Sequence, residues 1–569
     1  MAAEKWMVQT KRADFNNIAK KYGISPVTAR IMRNRDVVGD QDIEQYLFGS
    51  LKDLYDPVLL KDMDLAVEIL TEKIQEGKPI RIIGDYDIDG VCSTYILYTA
   101  LKQIGAKVDY EIPDRIKDGY GINENIIKAA WAEGIDTLLT CDNGIAAVEE
   151  ISSAKTLGMT VIVTDHHEVL KIEEREILPP ADAVVDPKQE ECSYPNPEIC
   201  GAVVAWKLVK VLYKSHSIPE KKWEELLPFA AIATVGDVMR LQKENRIIVK
   251  QGLKAIARTG NYGIKKLAEK NNLDIEHLSA YHIGFVIGPC LNAGGRLQTA
   301  KLALSLLLAK TEEEADKLAQ DLKELNDERK DLTLQGTKEA CQQAEKLYSQ
   351  DKVLVIFLPD CHESLAGIIA GRLREIYQKP ALVLTRAEEG LKGSGRSIEE
   401  YHMFQGLVEV RDLLTKFGGH PMAAGFSLKE ENLEEFRRRL NENARLTEAD
   451  FVKKIWIDVP MPLEYISESL VEELEQLEPF GQGNEKPQFA QKDLRIRSFR
   501  VMGKNKNVVR ISLVTDRGLP MDGLWFGDGE DLARQLEGRQ FMDAVYYPGI
   551  NEYNGNRSLQ IVIKNYKLK

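Results

Sequence analysis

The chain has 569 residues, more than one hydrophobic core supports, and predicts about three or four domains. It is 44% hydrophobic and 29% charged with no biased tract, and no run of about 18 apolar residues predicts a membrane span. The net charge of −13 argues against indiscriminate binding to polyanions, although a local basic groove is compatible with it. The seven cysteines stand singly, and the opening Met-Ala-Ala-Glu-Lys-Trp-Met lacks the basic and apolar regions of a secretory leader. Reduced thiols in a cytoplasmic protein are therefore expected.

Residues 1–60 predict a small helical segment with breaks at Gly23, Gly39 and Pro57. In the next region, 61–310, strands over 80–84, 108–112, 137–140 and 160–164 alternate with helices over 90–104, 126–132 and 147–157. That alternation predicts a parallel, doubly wound α/β sheet, whose ligands gather beyond the carboxyl ends of the strands. Helical patterns then dominate 196–310. Residues 311–348 are rich in Glu, Lys, Leu, Ala and Gln, open on Thr-Glu-Glu-Glu and contain one glycine, Gly336. They predict either one connecting helix of about 55 Å or two helices broken at that glycine. A second α/β unit spans 349–450, with a strand at 352–358, a helix at 364–377, a strand at 381–384 and glycine-rich turns at 393–395 and 418–419. Within 451–569 five short β runs follow one another, and residues 491–569 hold about 14 Lys/Arg against about 9 Asp/Glu. This pattern predicts a small β-barrel of the oligonucleotide-binding (OB) type, with Trp525, Phe526, Tyr546 and Tyr553 as candidate stacking residues.

The chemistry concentrates at predicted strand ends. Asp85, Asp87 and Asp89 follow the first strand at alternate positions, and on an extended segment their carboxylates would point one way. Such a cluster suits Mg²⁺ or Mn²⁺, yet alone it fits a solvated acidic loop equally well. Asp142 and Asp165-His166-His167 fall at the same edge, and Asp237 in Gly-Asp-Val adds a further carboxylate. Asp87, Asp89, Asp142, Asp237 and His166 carry more negative charge than one dication needs. Two cations sharing a carboxylate fit better, the arrangement that serves phosphoester hydrolysis. Adjacent histidines face different ways, so His166 is expected to bind metal and His167 to face substrate or a second acid.

Asp-Tyr-Asp-Ile-Asp-Gly (85–90), Cys-Asp-Asn-Gly (141–144), Asp-His-His (165–167) and Gly-Asp-Val (236–238) stand in the order and spacing of the DHH phosphoesterases. Pro-Asp-Arg (113–115), Gly-Tyr-Gly (119–121), Leu-Asn-Ala-Gly-Gly-Arg (291–296), Lys-Gly-Ser-Gly-Arg-Ser (392–397) and Phe-Gly-Gly-His-Pro-Met-Ala-Ala-Gly (417–425) extend the likeness. Over essentially its full length the chain resembles the RecJ family of single-strand-specific 5′→3′ exonucleases. The resemblance implies a DHH domain and a DHHA1 domain, both α/β, joined by the long helix and followed by the OB barrel. It implies two Mn²⁺ or Mg²⁺ ions on Asp87, Asp89, Asp142, His166 and Asp237, with Asp142 bridging and His167 at the scissile phosphate. It assigns Arg115, Tyr120, Asn292, Arg296, Arg372, Ser394, Arg396 and His420 to the strand and its 5′-phosphate. The glycines beside Ser394 are expected to let backbone N–H groups approach an anion.

Three positions depart from the family pattern. Ile83 stands where many relatives have a metal-binding histidine, which makes Asp85 a candidate replacement ligand. Cys290 and Cys361 replace an arginine and a tryptophan. The implied activity is degradation of single-stranded DNA to 5′-mononucleotides in repair and recombination, with single-strand-binding protein and a helicase as partners. Two alternatives are a DHH phosphodiesterase of short oligonucleotides or cyclic dinucleotides, and a non-catalytic DNA-binding factor.

Overall fold

The computed structural model describes residues 4–115, 118–173, 175–515, 517–553 and 555–569. The first sheet is wholly parallel, with strands in the spatial order Lys107–Glu111, Pro79–Ile83, Thr137–Cys141, Thr160–Thr164 and Ala183–Val185. The last of these strands is one that the sequence pattern did not predict. Alternate side chains serve two cores. Ile82, Leu139 and Ile162 pack with helix Ile88–Gln103, whereas Ile83, Leu138 and Val161 pack with helices Glu124–Ala132 and Val148–Thr156. Burial on both faces explains why these strands read as unbroken apolar runs. The chain leaves Pro79–Ile83 for one neighbouring strand and returns to the other, so the crevice of the sheet opens beyond Ile83 and Cys141.

The connecting segment is one helix, Glu312–Leu347, of 36 residues, started by Thr311 Oγ1 accepting the N–H of Glu314 at 3.2 Å. Gly336 does not break it. A Cβ there would lie 2.6 Å from Ile369 Cδ1, so the glycine lets helix Glu363–Tyr377 pack closely. The second sheet has the order Leu414–His420, Ala423–Leu428, Leu391–Arg396, Ala381–Arg386, Leu354–Phe357, and only its last pair is parallel. The glycines expected to make turns at 393–395 and 418–419 are therefore strand residues. A Cβ on Gly393 would meet the Phe426 ring at 2.4 Å and one on Gly395 would meet Met403 Sδ at 2.9 Å. Packing, not turning, requires Gly393 and Gly395.

Strands Phe489–Met502, Val508–Val514, Pro520–Phe526, Asn556–Leu568 and Phe541–Tyr553 close into a barrel, because the last also pairs with the first. The N-terminal segment belongs to this end of the molecule. Strand Glu4–Val8 lies parallel to Lys453–Ile457, and Val27, Ile31, Met32 and Tyr46 share a core with Leu470, Leu474 and Phe489. Arg35 grips buried Asp458 through two bonds of 2.5 and 3.0 Å. Arg246, from the first domain, donates to the carbonyls of Tyr46 (3.0 Å), Leu477 (2.7 Å) and Gln476 (3.1 Å). Ala315, Ala319 and Leu322 of the long helix pack in the first domain's core, and Lys454 of strand Lys453–Ile457 pairs with Glu400 of the second domain, so contacts run in a closed circuit from the first domain through the long helix, the second domain and the barrel end back to the first.

Candidate active site

The strand Pro79–Ile83 stops two residues before Asp85, and Asp87 is the N-cap of helix Ile88–Gln103. Its Oδ1 accepts the N–H of Asp89 at 2.9 Å and of Gly90 at 3.1 Å. The three aspartates therefore do not line one extended face as their spacing suggested. They diverge into two groups. Asp85 and Asp87 bring ligand oxygens within 4.8 Å of one another and of Asp142, and Asp89 does the same with His166 and Asp237. Asp142 also groups with His166 and His167, so it stands between the two sets.

Backbone geometry positions two further ligands. Asp142 ends strand Thr137–Cys141 with φ 61°, a left-handed conformation that an ordinary residue adopts only where its surroundings enforce it. Asp89 accepts the N–H of Gly201 at 2.7 Å and of Ala202 at 2.8 Å, at the positive end of helix Gly201–Ser215. Gly201 also admits Asp142, since a Cβ there would lie 2.8 Å from Asp142 Cβ. Sequence reasoning missed both residues; the only signal was a glycine at the start of a helical pattern. His166 turns Nε2 into the carboxylates, 3.1 Å from Asp142, 3.5 Å from Asp89 and 3.7 Å from Asp237. Asp237 caps the end of helix Leu227–Gly236. Ile83, at the position of a missing histidine, packs in the second core of the sheet and does not reach this cluster.

None of these five aspartates pairs with Lys or Arg among the described residues. Burial, then the charge of Asp87, pushes Asp85 up to about 8. Burial, then Asp89 and Asp87, pushes Asp237 up to about 8, and Asp142 is raised well above the carboxylate range by burial and the same neighbours. Burial lowers His166, and both its Nδ1 and Asp142 Oδ1 are buried without a hydrogen-bond partner. Repelling carboxylates, a neutral imidazole and orphaned acceptors make a donor set that fits hard divalent cations.

His167 lies beside the cluster. Burial opposes its protonation, but Nδ1 is 2.7 Å from Asp165 Oδ1, and the net effect raises it to about 9. Asp165 also accepts the N–H of Ile145 at 2.9 Å, and stays ionised despite its burial. The half-exposed Tyr120 donates to the carbonyl of Asp142 at 2.8 Å and lies 3.1 Å from His167 Nδ1. Tyr120, His167 and, from the second domain, His420 line a cavity of 320 Å³.

Beside the carboxylates lie arginines that make no ion pair. Arg115, Arg296, Arg329 and Arg396 form no ion pair among the described residues. Arg115 lies 4.0 Å over the Tyr86 ring, and its Nε is buried without a partner. Burial, then Arg115 and Arg329, lowers Arg296 to about 10, while its Nη1 donates to Ser364 O of the second domain at 2.9 Å. Arg396 donates to Ser394 Oγ at 3.1 Å. The strand carrying both is paired on its two sides, so its N–H groups serve the sheet and are not free to bind an anion as expected. Gly367 on the neighbouring helix makes the room instead, since a Cβ there would lie 2.8 Å from Ser394 Oγ. Asn292 is half-buried on helix Gly288–Leu297, one turn before Arg296. Arg372 is exposed and bonded to Glu375 at 3.3 Å.

Cys290 is buried, with Asn326 Nδ2 3.3 Å from its sulfur, and Cys361 is half-buried, its Sγ 3.4 Å from the carbonyl of His362. Among the barrel aromatics, Tyr546 is wholly buried and donates to Met461 O at 2.6 Å, so it is core and not a stacking surface. Trp525 is half-buried against Tyr566, Phe526 is exposed, and the Tyr553 side chain lies outside the described residues.

Residues 79–234 match the DHH family N-terminal domain, 350–445 the DHHA1 domain and 457–565 the RecJ OB domain. The single-stranded-DNA-specific exonuclease RecJ of Bacillus subtilis is 35% identical over 99% of this chain and 70% of its own. Its Escherichia coli counterpart is 33% identical over 99% of both chains. The crystal structure of Thermus thermophilus RecJ in complex with Mn²⁺ superposes with a TM-score of 0.84 at 27% identity, covering 99% of this chain and 80% of that one. A second structure, exonuclease RecJ bound to manganese, is 32% identical with a TM-score of 0.60, covering 69% of this chain and 97% of that one. By full-length identity, domain content and fold, the chain belongs to the RecJ family of single-stranded-DNA-specific exonucleases.

Proposed function

We propose that this protein is a metal-dependent exonuclease that degrades single-stranded DNA from its 5′ end to 5′-mononucleotides. The observation that carries the reading is the meeting of buried Asp85, Asp89, Asp142 and His166 with half-buried Asp87 and Asp237, none of the five aspartates being paired with Lys or Arg among the described residues. In this reading Asp85, Asp87 and Asp142 would hold one cation and Asp89, His166 and Asp237 another, with Asp142 close to both groups. Mn²⁺ or Mg²⁺, when bound there, supplies the Lewis acidity that makes water a nucleophile and stabilises the leaving oxygen.

The side chains around the centre bind and orient. Arg115, Arg296, Ser394 and Arg396 take the 5′-terminal phosphate, since guanidinium forks match phosphate oxygens and these lack carboxylate partners. Asn292 lies on the same wall, and Arg372 lies on the rim near Arg329. His167, its Nδ1 held by Asp165, turns its other ring nitrogen toward the non-bridging oxygen on which charge develops. Asp165 and Tyr120 hold its ring, and His420 closes the opposite side. Duplex ends are excluded by the narrow space between the two α/β domains, and 5′ polarity follows from an anion pocket that takes a terminal phosphate. The barrel extends the track for the rest of the strand. The physiological setting is repair and recombination in the cytoplasm, beside single-strand-binding protein and a helicase that expose 5′ ends.

A time course on 3′-labelled strands with 5′-phosphate or 5′-hydroxyl ends, with and without Mn²⁺, tests this reading. Progressive shortening from the 5′ end, faster with the phosphate and absent without metal, is expected. Endonucleolytic products, or digestion that persists in a chelator, would overturn it.

A further inference from the structure

The helix that carries Asn292 and Arg296 is entered through an irregular turn. Ala280–His282 leads into a single π-helical turn, Ile283–Ile287, and Gly288–Leu297 continues the helix. Such turns insert an extra residue and gather at functional sites. Here they accompany two aromatic rings in solvent. Tyr281 is 63% exposed and Phe285 68% exposed, and the rings stack on each other with centroids 4.8 Å apart and planes at 27°.

Three contacts locate this pair. A Cβ on Gly284 would lie 3.5 Å from Val235, on the helix Leu227–Gly236 that ends at Asp237. Val238, the residue after Asp237, is itself 66% exposed in a left-handed conformation. Ala280 packs with Leu241, whose N–H donates to Gln482 O at 2.7 Å, in the segment leading into the barrel. The rings therefore stand between Asp237 and the approach to the barrel, on the element that also supplies Asn292 and Arg296.

We propose that Tyr281 and Phe285 form a stacking platform for unpaired nucleobases of the strand on its way between the cleft and the barrel. The inference rests on the proposed function and adds to it a base contact, where the arginines contact only phosphate. Continuity with the cleft on one side and the barrel approach on the other favours a nucleic acid as the occupant. Every base has a π-face, so the platform is indifferent to sequence, and paired bases cannot present that face. Selectivity for single strands then has a second source beside the narrow cleft.

Fluorescence anisotropy in metal-free buffer, with the full chain and 3′-labelled strands, tests this. One strand carries bases and the other is abasic along its length. The unmodified protein is expected to prefer the base-bearing strand by about tenfold or more. Phe285→Ala and Tyr281→Ala lose most of that preference, whereas Phe285→Trp retains it. Tyr281→Trp adds, over the signal of the six native tryptophans in the unmodified protein, an indole fluorescence that the base-bearing strand quenches and the abasic strand does not. Variants that keep the full preference, or that lose affinity equally for both strands, overturn the platform. A partner protein that binds the unmodified chain and not Phe285→Ala, with strand binding intact, also overturns it. If the unmodified protein neither binds strands nor digests them with Mn²⁺, the proposed function itself fails, which is a separate result.

Discussion

Stripping the protein of divalent ions and then raising the pH tests the carboxylate centre without any mutation. Asp85 carries an ordinary carboxylate value of 3.8 when unfolded and about 8 in the fold, because burial and Asp87 disfavour its charge. Below the lower value both states hold the proton. Between the two, the unfolded chain ionises while the fold keeps its proton, so stability falls as pH rises, and the loss is complete above about 8. At about 1.4 kcal/mol for each factor of ten in proton affinity, ionising Asp85 without a counter-charge costs on the order of 5 kcal/mol. Asp237 adds to this in the same direction, less than additively because the two share neighbours. A bound cation replaces the protons. At a thousandfold excess over its dissociation constant it contributes about 4 kcal/mol, and less at low pH, where protons compete. Thermal unfolding with a chelator or with Mn²⁺, at about pH 5.5 and about pH 8, reads both effects. The metal-free protein should unfold several degrees lower at the higher pH, and Mn²⁺ should raise the transition more there. A metal-free transition that rises over this window, or an Mn²⁺ shift equal at both pH values, would refute the account.

Asp142→Ala is expected to abolish Mn²⁺-dependent digestion while leaving the metal-free fold as stable as before or more so, since one repelling carboxylate is removed; product gels and unfolding curves check both. Arg396→Gln should erase the preference for a 5′-phosphate over a 5′-hydroxyl end, a loss of roughly tenfold to a hundredfold, measured as the ratio of initial rates. Gly201→Ala forces a methyl to 2.8 Å from Asp142 Cβ and 2.9 Å from its Cα, so turnover should fall at least tenfold, with weaker Mn²⁺ dependence visible in a titration. Asp458→Ala strands buried Arg35 and the Gln488 N–H, and should cost about 3–5 kcal/mol in the denaturant transition that includes the barrel.

The parts of the site legible in the sequence are those fixed by local chemistry at strand ends. Asp142 and His166 follow short buried strands, and the sheet delivers such residues to its carboxyl edge whatever else the chain does. Asp85, Asp87 and Asp89 were misread in geometry because alternate spacing looks like a strand. The capping bonds from Asp87 instead start a helix between the second and third carboxylates and turn Asp89 away. Glycines misled for a related reason. Their composition suggests turns, but Gly336, Gly393 and Gly395 are small because Ile369, Phe426 and Met403 occupy the space beside them. Such causes lie in partners distant along the chain. So does the strand Glu4–Val8, whose ladder partner Lys453–Ile457 lies at the far end of the sequence. Tyr546 fell to the same limit, since strand alternation alone does not say which face of a barrel is inside.

The closed circuit of contacts bears on the proposed reaction. The residues proposed to hold the phosphate come from both domains: Arg115 and Arg296 from the first, Ser394 and Arg396 from the second. The carboxylate centre belongs to the first alone. The distance from pocket to centre, and hence the length of strand removed in each cut, is therefore set by how the domains stand. Arg296 links them directly through Ser364 O. Glu312–Leu347 spans them on one side, and Gly336 seats its middle against the second domain. On the other side Arg246 fastens the first domain to the barrel end through three carbonyls. None of these three contacts ligates a metal ion. Together they hold two half-sites at a fixed spacing, which is what an enzyme must do to release one nucleotide at a time.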